Sequence, residues 1–266
     1  MNILKYMEKN PKVSIITVCY NSEKTIQKTI EAVLNQTYKN IEYLVIDGKS
    51  TDGTLGIVKS FEGKFGGRMK IVSEKDGGIY YALNKGIDSS AGELIGFSNS
   101  DDWYEVDAVE KAVAVFVTKP EAFIYGLLRL IKDEKVLMIS TGSHEFLPGS
   151  QIPYPTWFLP KVLFKKFGNF ELKYKIGSDV DLVLRFFKNG VQFHRLESIL
   201  ANFRVGGKSD QHVYLSRIEV LMSMQELGFI SKNKLYYNIL LLRLSIVKEK
   251  IYKFFRSILV KIISYD

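Results

Sequence analysis

Cysteine is almost absent from this chain of 266 residues: Cys19 is the only one, so no disulfide can form within it. The chain is therefore not a small secreted scaffold held together by disulfides. No run of apolar residues reaches the roughly 20 that a membrane-spanning helix needs. Residues 1–10 carry charges but no apolar core, which excludes a secretory signal there. These absences predict a protein that acts in the cytoplasm.

Acidic residues are outnumbered by basic ones, 29 against 37, which gives a formal net charge of +8. Such a balance favours polyanionic partners: nucleic acid, an anionic membrane or a nucleotide diphosphate. The sequence has no zinc-finger spacing and no aromatic-rich RNA-binding motif, so we predict that nucleic acid is not a partner. A hydrophobic content of 46% is enough for a real core, in one large domain or a domain with an appendage.

Short β-branched runs alternate with segments of helical periodicity in the first part of the chain. Strands are predicted at 13–19, 41–46, 70–73 and 94–97, and helices at 23–34 (with Ser22 as N-cap), 54–61 and 79–87. This alternation predicts an α/β fold with a mostly parallel central sheet and helices on both faces. A helix at 108–117, a hairpin over 123–139 and a helical pair ending at 189 should follow.

Polar clusters stand where each of the four predicted strands ends. They are Tyr20-Asn21, Asp47-Gly48, the segment 74–76 with Asp76, and the pair Asp101-Asp102. Ligands of parallel sheets bind outside the carboxyl ends of the strands. We therefore expect these clusters to converge on one edge and to bind substrate there.

The adjacent carboxylates of Asp101 and Asp102 repel each other unless positive charge lies beside them. Mg²⁺ or Mn²⁺ would supply it, since these ions take one or two carboxylates together with phosphate oxygens. The alternative is a surface turn in which one of the two acids caps the next helix.

The ordered set of motifs is more specific than any one of them. In chain order it consists of Pro-Lys-Val-Ser-Ile-Ile-Thr-Val-Cys-Tyr-Asn at 11–21, Ile-Glu-Tyr-Leu-Val-Ile-Asp-Gly at 41–48, Ser-Thr-Asp-Gly-Thr at 50–54, Asp-Gly-Gly-Ile-Tyr at 76–80, Asn-Lys-Gly-Ile at 84–87 and Asn-Ser-Asp-Asp-Trp-Tyr at 99–104. Over roughly residues 11–230 the chain resembles the family 2 glycosyltransferases with the GT-A fold. It looks most like bacterial members that build capsule, exopolysaccharide or lipopolysaccharide.

The resemblance implies an inverting transfer of a sugar from a nucleotide-diphosphate sugar, expected to be a UDP-sugar, to a saccharide or lipid-linked saccharide. It implies a GT-A domain over 1–232, with a donor half at about 11–107 and an acceptor half at about 108–232. Residues 233–266 would form a helical tail. Two other classes stay open at this point: a nucleotidyltransferase and a non-catalytic nucleotide-sugar-binding subunit.

On the donor side the resemblance assigns Asp102 to direct metal binding and Asp101 to the ribose or the metal shell. Asn99 stands where many relatives carry the first acid of an Asp-any-Asp motif, so the pair supplies the only carboxylates there. By the same resemblance Asp47 accepts a hydrogen bond from the nucleotide base, although it can also be a turn cap. Lys85 faces either a phosphate or solvent.

Two further features are assigned to the donor side: a glycine pair after Asp76 and a basic loop with Arg204 and Lys208. Asp76 precedes two glycines, which would let the backbone approach a ribose closely. Arg204 and Lys208 lie in a segment that resembles the loop closing over the donor in relatives. Both could pair with phosphates, and a plain basic surface loop is the alternative.

On the acceptor side, Asp179 aligns with the catalytic base of the family. Ser178 and Asp181 match a capping box, which gives Asp181 a structural task and leaves Asp179 for chemistry. Relatives often carry His where this chain has Tyr154, which weakens a specific role for that position. Trp157 is a candidate for stacking on a sugar face, with burial in the core as the alternative.

Apolar residues recur three or four positions apart between 235 and 263, interleaved with six basic residues and one acid. A basic amphipathic helix of this kind lies on anionic membrane surfaces. We therefore expect peripheral contact with the inner face of the cell membrane, with packing on the core or on a partner subunit as the alternative.

Overall fold

The computed structural model describes residues 10–206 and 213–245. Its strands are β1 (Val13–Cys19), β2 (Ile41–Asp47), β3 (Met69–Ser73), β4 (Leu94–Phe97), β5 (Trp103–Tyr104), β6 (Phe123–Lys132), β7 (Lys135–Ser140), β8 (Phe158–Pro160) and β9 (Phe193–Arg204). Its helices are α1 (Ile26–Leu34), α2 (Thr54–Glu62), α3 (Ile79–Ser89), α4 (Ala108–Thr118), α5 (Lys161–Phe167), α6 (Ser178–Lys188) and α7 (Val213–Glu226). Residues 232–245 are also helical.

One sheet contains all nine of these strands, in the order β3-β2-β1-β4-β8-β6-β9-β5, with β7 paired to β6. The neighbours from β3 to β4 are parallel, as the alternation predicts. The later strands add antiparallel pairings, because β8 returns beside β4 and β5 returns beside β9. The predicted hairpin is present as β6 and β7, and its turn residues Asp133 and Glu134 adopt left-handed φ values.

Every residue of β1 and β2 is buried, because the sheet carries a hydrophobic cluster on each face. Successive side chains in a strand point to opposite faces. Val13 and Ile15 therefore join one cluster with α1, while Ile16 joins the other cluster with α3. A Cβ on Gly86 of α3 would lie 2.6 Å from Ile16 Cγ2, so this helix approaches the sheet too closely for a side chain there.

Helix α1 begins later than its sequence suggests. Its N-cap is Thr25, without a side-chain hydrogen bond, whereas the Ser22 carbonyl accepts from Thr25 N and Ile26 N. Ser22 therefore forms a preceding turn, and its hydroxyl lies 2.8 Å from Ser100 Oγ. The expected N-cap at Ser22 is wrong, because that side chain binds the β4 loop.

In the helical segment 232–245, Leu235 is buried while five large side chains are well exposed: Tyr236, Tyr237, Leu240, Leu241 and Leu244. Residues 246–266 lie outside the described part of the chain, so most of the predicted tail stays a prediction. Within the described residues, no helix combines the length and hydropathy needed to cross a membrane.

Candidate active site

The loops after β1 and β2 are tied together at the carboxyl edge of the sheet. Asn21 adopts a left-handed conformation, with φ at 51°. Its Oδ1 accepts from Thr51 N at 2.9 Å, and its own N–H donates to Ser50 Oγ at 2.9 Å. Asn21 is therefore at the predicted edge, where it holds the adjacent loop in place.

Asp47 ends β2 and is fully buried. Its Oδ2 accepts from Ser73 Oγ at 2.6 Å, and its Oδ1 accepts from the Ser50 hydroxyl. Burial, followed by the charge of Asp47, raises the pKa of Cys19, so that thiol stays neutral. Both carboxylate oxygens are already bonded, by Ser50 in the loop after β2 and by Ser73 at the end of β3, and the contact between Asp47 and a nucleotide base stays a prediction.

Asp76 lies over the end of β2. Its Oδ1 accepts from Gly78 N at 2.9 Å, and a Cβ added to Gly48 would lie 3.1 Å from its Oδ2. The same Cβ would be 3.5 Å from the ring of Tyr20, which is 49% exposed. Tyr20 and Asp76 thus form an open aromatic and acidic surface beside glycine. Tyr20 was predicted to lie at a strand end but was given no role of its own. Its aromatic ring directly after a buried strand is the sequence feature that could have marked it as a site residue.

Asp102 is buried after β4, and only one of its carboxylate oxygens has a partner among the described residues. Oδ1 accepts from Arg204 N at 3.4 Å, while Oδ2 has none. Burial, followed by the charge of Asp101, raises the pKa of Asp102 well above its ordinary value. Asn99 Oδ1 is likewise buried without a partner in this part of the structure.

Two unpartnered oxygens in one loop suit a hard divalent cation, which binds oxygen ligands. Within residues 10–206 and 213–245, no group of three or more His, Cys, Asp or Glu side chains could hold a metal ion. The residues present therefore fit Mn²⁺ or Mg²⁺ as an ion shared with substrate oxygens, rather than one enclosed by protein alone.

Asp179 lies in the first turn of α6, against α3. Tyr80 OH is 3.2 Å from Asp179 Oδ1 and 2.5 Å from the carbonyl of Ile176. Burial raises the pKa of Asp179 to about 6, a shift that hydrogen bonds from Val180 N and Tyr80 oppose and the charge of Glu219 reinforces. A carboxylate with this pKa is mostly ionised at pH 7 and still able to take up a proton.

The hydroxyl of Tyr154 is close enough to both acidic centres for their charges to act on it. It is buried and has no partner among the described residues. Burial raises its pKa well above the ordinary value, and the charges of Asp179 and Asp102 both add to the rise. The charges of both carboxylates thus act on one phenol. The sequence offered no reason to assign Tyr154 a specific role, since relatives often carry His there, and its nearness to two acids is a tertiary feature.

A family model described as Glycosyl transferase family 2 matches residues 14–179 of the chain. The chain belongs to glycosyl transferase family 2. An uncharacterized glycosyltransferase of Mycobacterium tuberculosis strain H37Rv is 33% identical over 67% of this chain and 70% of its own length. The putative glycosyltransferase EpsE of Bacillus subtilis is 28% identical over 74% of each chain.

Solved structures show the same fold at low identity. S. aureus TarS in complex with UDP-GlcNAc superposes with a TM-score of 0.68 at 21% identity, covering 88% of this chain and 73% of that chain. A mannosyltransferase from Pyrobaculum calidifontis, in complex with GDP-Man and Mn²⁺, gives 0.64 at 17% identity, covering 90% and 74%. The protein is a glycosyltransferase with a GT-A fold.

The capping box predicted at the start of α6 is wrong. The N-cap is Gly177, and Ser178 Oγ is buried without a partner among the described residues. Asp181 instead forms an ion pair with Arg185 at 2.9 Å and accepts from Ser223 Oγ at 2.7 Å. In this glycosyltransferase Asp181 has a structural task, as expected, but it holds α7 and the following turn rather than the helix end.

Trp157 is in the core, only 1% exposed. Its ring packs edge-on against Phe123, with centroids 5.0 Å apart, and against Tyr154 at 4.9 Å. The expectation that Trp157 stacks on a sugar is therefore corrected: neither ring face is open, and the side chain instead supports Tyr154.

The basic candidates of the donor side are already engaged within the protein. Lys85 forms an ion pair with Glu74. The Arg204 guanidinium lies 3.4 Å from Glu134 Oε1 and 5.5 Å from the Trp103 ring, while its backbone reaches Asp102. Arg204 is thus beside the acid pair, Lys85 is beside the β3 loop, and Lys208 lies outside the described residues.

Proposed function

We propose that this glycosyltransferase moves a sugar from a nucleotide-diphosphate sugar, expected to be a UDP-sugar, to a saccharide or lipid-linked saccharide, with inversion at the anomeric carbon. The observation that carries the proposal is a pair of carboxylates whose charges both reach Tyr154: Asp102, with an unpartnered oxygen among the described residues, and Asp179, with a raised pKa. One would serve the departing diphosphate and the other the attacking hydroxyl.

On the donor side, Asp102 would hold Mn²⁺ or Mg²⁺ together with Asp101 and the Asn99 amide oxygen. Such an ion, when bound, neutralises charge that develops on a departing diphosphate. Arg204 and Lys208 would add positive charge to the same region. Tyr20 and Asp76 would offer an open surface for the nucleobase and the ribose of the donor. Asn21 and Asp47 would fix the loops beneath that surface.

On the acceptor side, Asp179 would take the proton from the attacking hydroxyl as that oxygen bonds to the anomeric carbon. With a pKa of about 6 it is ionised in roughly ten of eleven molecules at pH 7. The single proton of the Tyr80 hydroxyl can bond either the Ile176 carbonyl or the Asp179 carboxylate, so Tyr80 would hold that carboxylate close to the turn before α6. A single displacement assisted by one base inverts the anomeric carbon.

A lipid-linked acceptor is supported by the apolar surface at the end of the described chain. A cavity of about 410 Å³ lies between α7 and the segment 232–245, lined by Val220, Leu221, Leu241 and Leu242 among others. Beside it the exposed tyrosines and leucines of 232–245 make an apolar face, which the sequence pattern continues with basic residues to 263. We propose that 235–263 contacts the anionic inner face of the cell membrane.

Family membership favours sugar transfer over nucleotidyl transfer, and an assay separates it from a non-catalytic binding subunit. Thermal shift with UDP-glucose, UDP-galactose, UDP-N-acetylglucosamine and GDP-mannose, each with and without Mn²⁺, should show stabilisation by at least one donor. Nucleotide release in the presence of saccharide acceptors then tests turnover.

Three results would contradict the proposal or one of its parts. If no nucleotide sugar raises the melting temperature with Mn²⁺ or Mg²⁺, the donor assignment is wrong. If donors bind but no acceptor supports release of the nucleotide, the binding-subunit alternative is favoured. Retained turnover in Asp179→Asn, with donor binding unchanged, would remove Asp179 from the role of base.

A further inference from the structure

We propose that Glu219, on α7, is a positioning residue for the Asp179 carboxylate: it fixes the backbone that leads into α6 and sets the charge that Asp179 faces. The inference rests on the proposed role of Asp179 as the base. Glu219 lies 40 residues after Asp179 in the chain, and it belongs to none of the sequence motifs that indicate a glycosyltransferase.

The carboxylate of Glu219 is buried, with the residue 6% exposed, and accepts three successive backbone N–H groups. Lys175 N donates to Oε1 at 2.9 Å, while Ile176 N and Gly177 N donate to Oε2 at 2.8 Å each. Charge-assisted bonds to a buried carboxylate are among the stronger hydrogen bonds in proteins. Three of them fix the orientation of the chain immediately before the turn that carries Asp179.

Close packing adds to these hydrogen bonds. A Cβ placed on Gly177 would lie only 3.0 Å from the Glu219 Cβ, so a side chain at the N-cap of α6 would require α7 to shift slightly away. One turn further along α7, Ser223 Oγ donates to Asp181 at 2.7 Å. Two turns along, Glu226 accepts from Tyr174 OH at 3.1 Å. Three successive turns of α7 thus hold the segment that bears the base.

The charged and titratable groups facing Asp179 come from three elements: Tyr80 on α3, Tyr154 in the loop before β8, and Glu219 on α7. The tyrosines are neutral at pH 7, so Glu219 is the negative charge among them. A like charge disfavours ionisation of a neighbouring carboxyl. Glu219 therefore keeps Asp179 a stronger base than burial alone would make it.

The test compares Glu219→Gln with Glu226→Gln. Both changes remove one carboxylate from α7, and both affect contacts with the chain before α6, but only Glu219 is among the charges facing Asp179. The Asp179 pKa is measured by ¹³C NMR on protein labelled at aspartate carboxyls, and its signal is identified by its loss in Asp179→Asn. The kcat/KM profile against pH is recorded in parallel with the donor found by thermal shift.

We expect Glu219→Gln to lower the Asp179 pKa by on the order of 0.5–1 unit and to move the acid limb of the rate profile to lower pH by the same amount. Glu226→Gln should leave both where they are. An unchanged Asp179 pKa in folded Glu219→Gln, or an equal shift in Glu226→Gln, overturns the inference. If Glu219→Gln does not fold, Glu219→Asp is tested instead, because its side chain is one methylene shorter and its carboxylate lies further from Asp179. An unchanged Asp179 pKa in Glu219→Asp overturns the inference as well.

The NMR titration needs no turnover, so the two proposals can fail separately. A parent protein that transfers no sugar, yet shows the Glu219-dependent pKa, contradicts the proposed function alone. An active parent with an inactive Asp179→Asn variant and a Glu219-independent pKa contradicts only the role of Glu219.

Discussion

Asp179→Asn should make the folded protein more stable at neutral pH even as it removes the proposed base. The pKa of Asp179 is about 6 in the folded chain, against about 3.9 for an aspartate in an unfolded chain. Because the folded state binds this proton more tightly, the stability contributed by Asp179 falls as pH rises from about 4 to 6. Above pH 7 the ionised carboxylate costs the folded state about 3 kcal/mol, which is an upper limit for the gain in Asn.

The free energy of unfolding of the parent and of Asp179→Asn is measured by urea titration at pH 4, 5, 6 and 7.5, with circular dichroism as the signal. The parent and Asp179→Asn should coincide near pH 4 and separate through pH 6, with the variant the more stable. Asp181→Asn is the matched control on the same helix turn. Its carboxylate pairs with Arg185 in a buried setting, so its loss should destabilise by about 3–5 kcal/mol. A variant of Asp179 that is no more stable than the parent at pH 7.5 would refute the reasoning.

Three further outcomes follow from the site and the packing. Asp102→Ala should abolish the Mn²⁺-dependent part of UDP binding in calorimetry, and equal affinity in variant and parent would contradict its metal role. Gly86→Leu should destabilise by about 1–3 kcal/mol in urea, because any Cβ there meets Ile16, and an unchanged midpoint would argue against that close approach. Paired Leu240→Glu and Leu244→Glu should reduce co-sedimentation with phosphatidylglycerol vesicles, and more so at low salt. Full retention would favour a packing role for 232–245.

The sequence determined the donor half of the fold because the relevant signal is local. Strand and helix periods can be recognised within a few residues, and the β1 run from Val13 is buried as its β-branched pattern predicts. Parallel topology then brings the ends of β1 to β4 to one edge, which is why the pair Asp101-Asp102 could be placed at a site from its position in the chain alone.

Roles within that edge were decided by partners distant in sequence. Asp47 is bonded by Ser50 and by Ser73, the latter 26 residues away, so this strand-end acid ties the end of β2 to its own loop and to β3. Trp157 is covered by Phe123, 34 residues earlier, and is therefore not a sugar platform. No local pattern contains these contacts, since the first depends on the parallel register of β2 with β3 and the second on how β8 inserts between β4 and β6.

The same distinction applies to the base. From the sequence, Asp179 was preferred to Asp181 as the base partly because of a capping box that does not form. The tertiary structure nevertheless gives the two acids different environments. Asp181 is neutralised by Arg185 on its own helix and bound by Ser223 from α7, whereas Asp179 is left partly buried beside Tyr80. The pKa of an ionisable side chain depends on how much solvent it loses on folding and on which charges lie beside it. Both are decided only when the helices pack together.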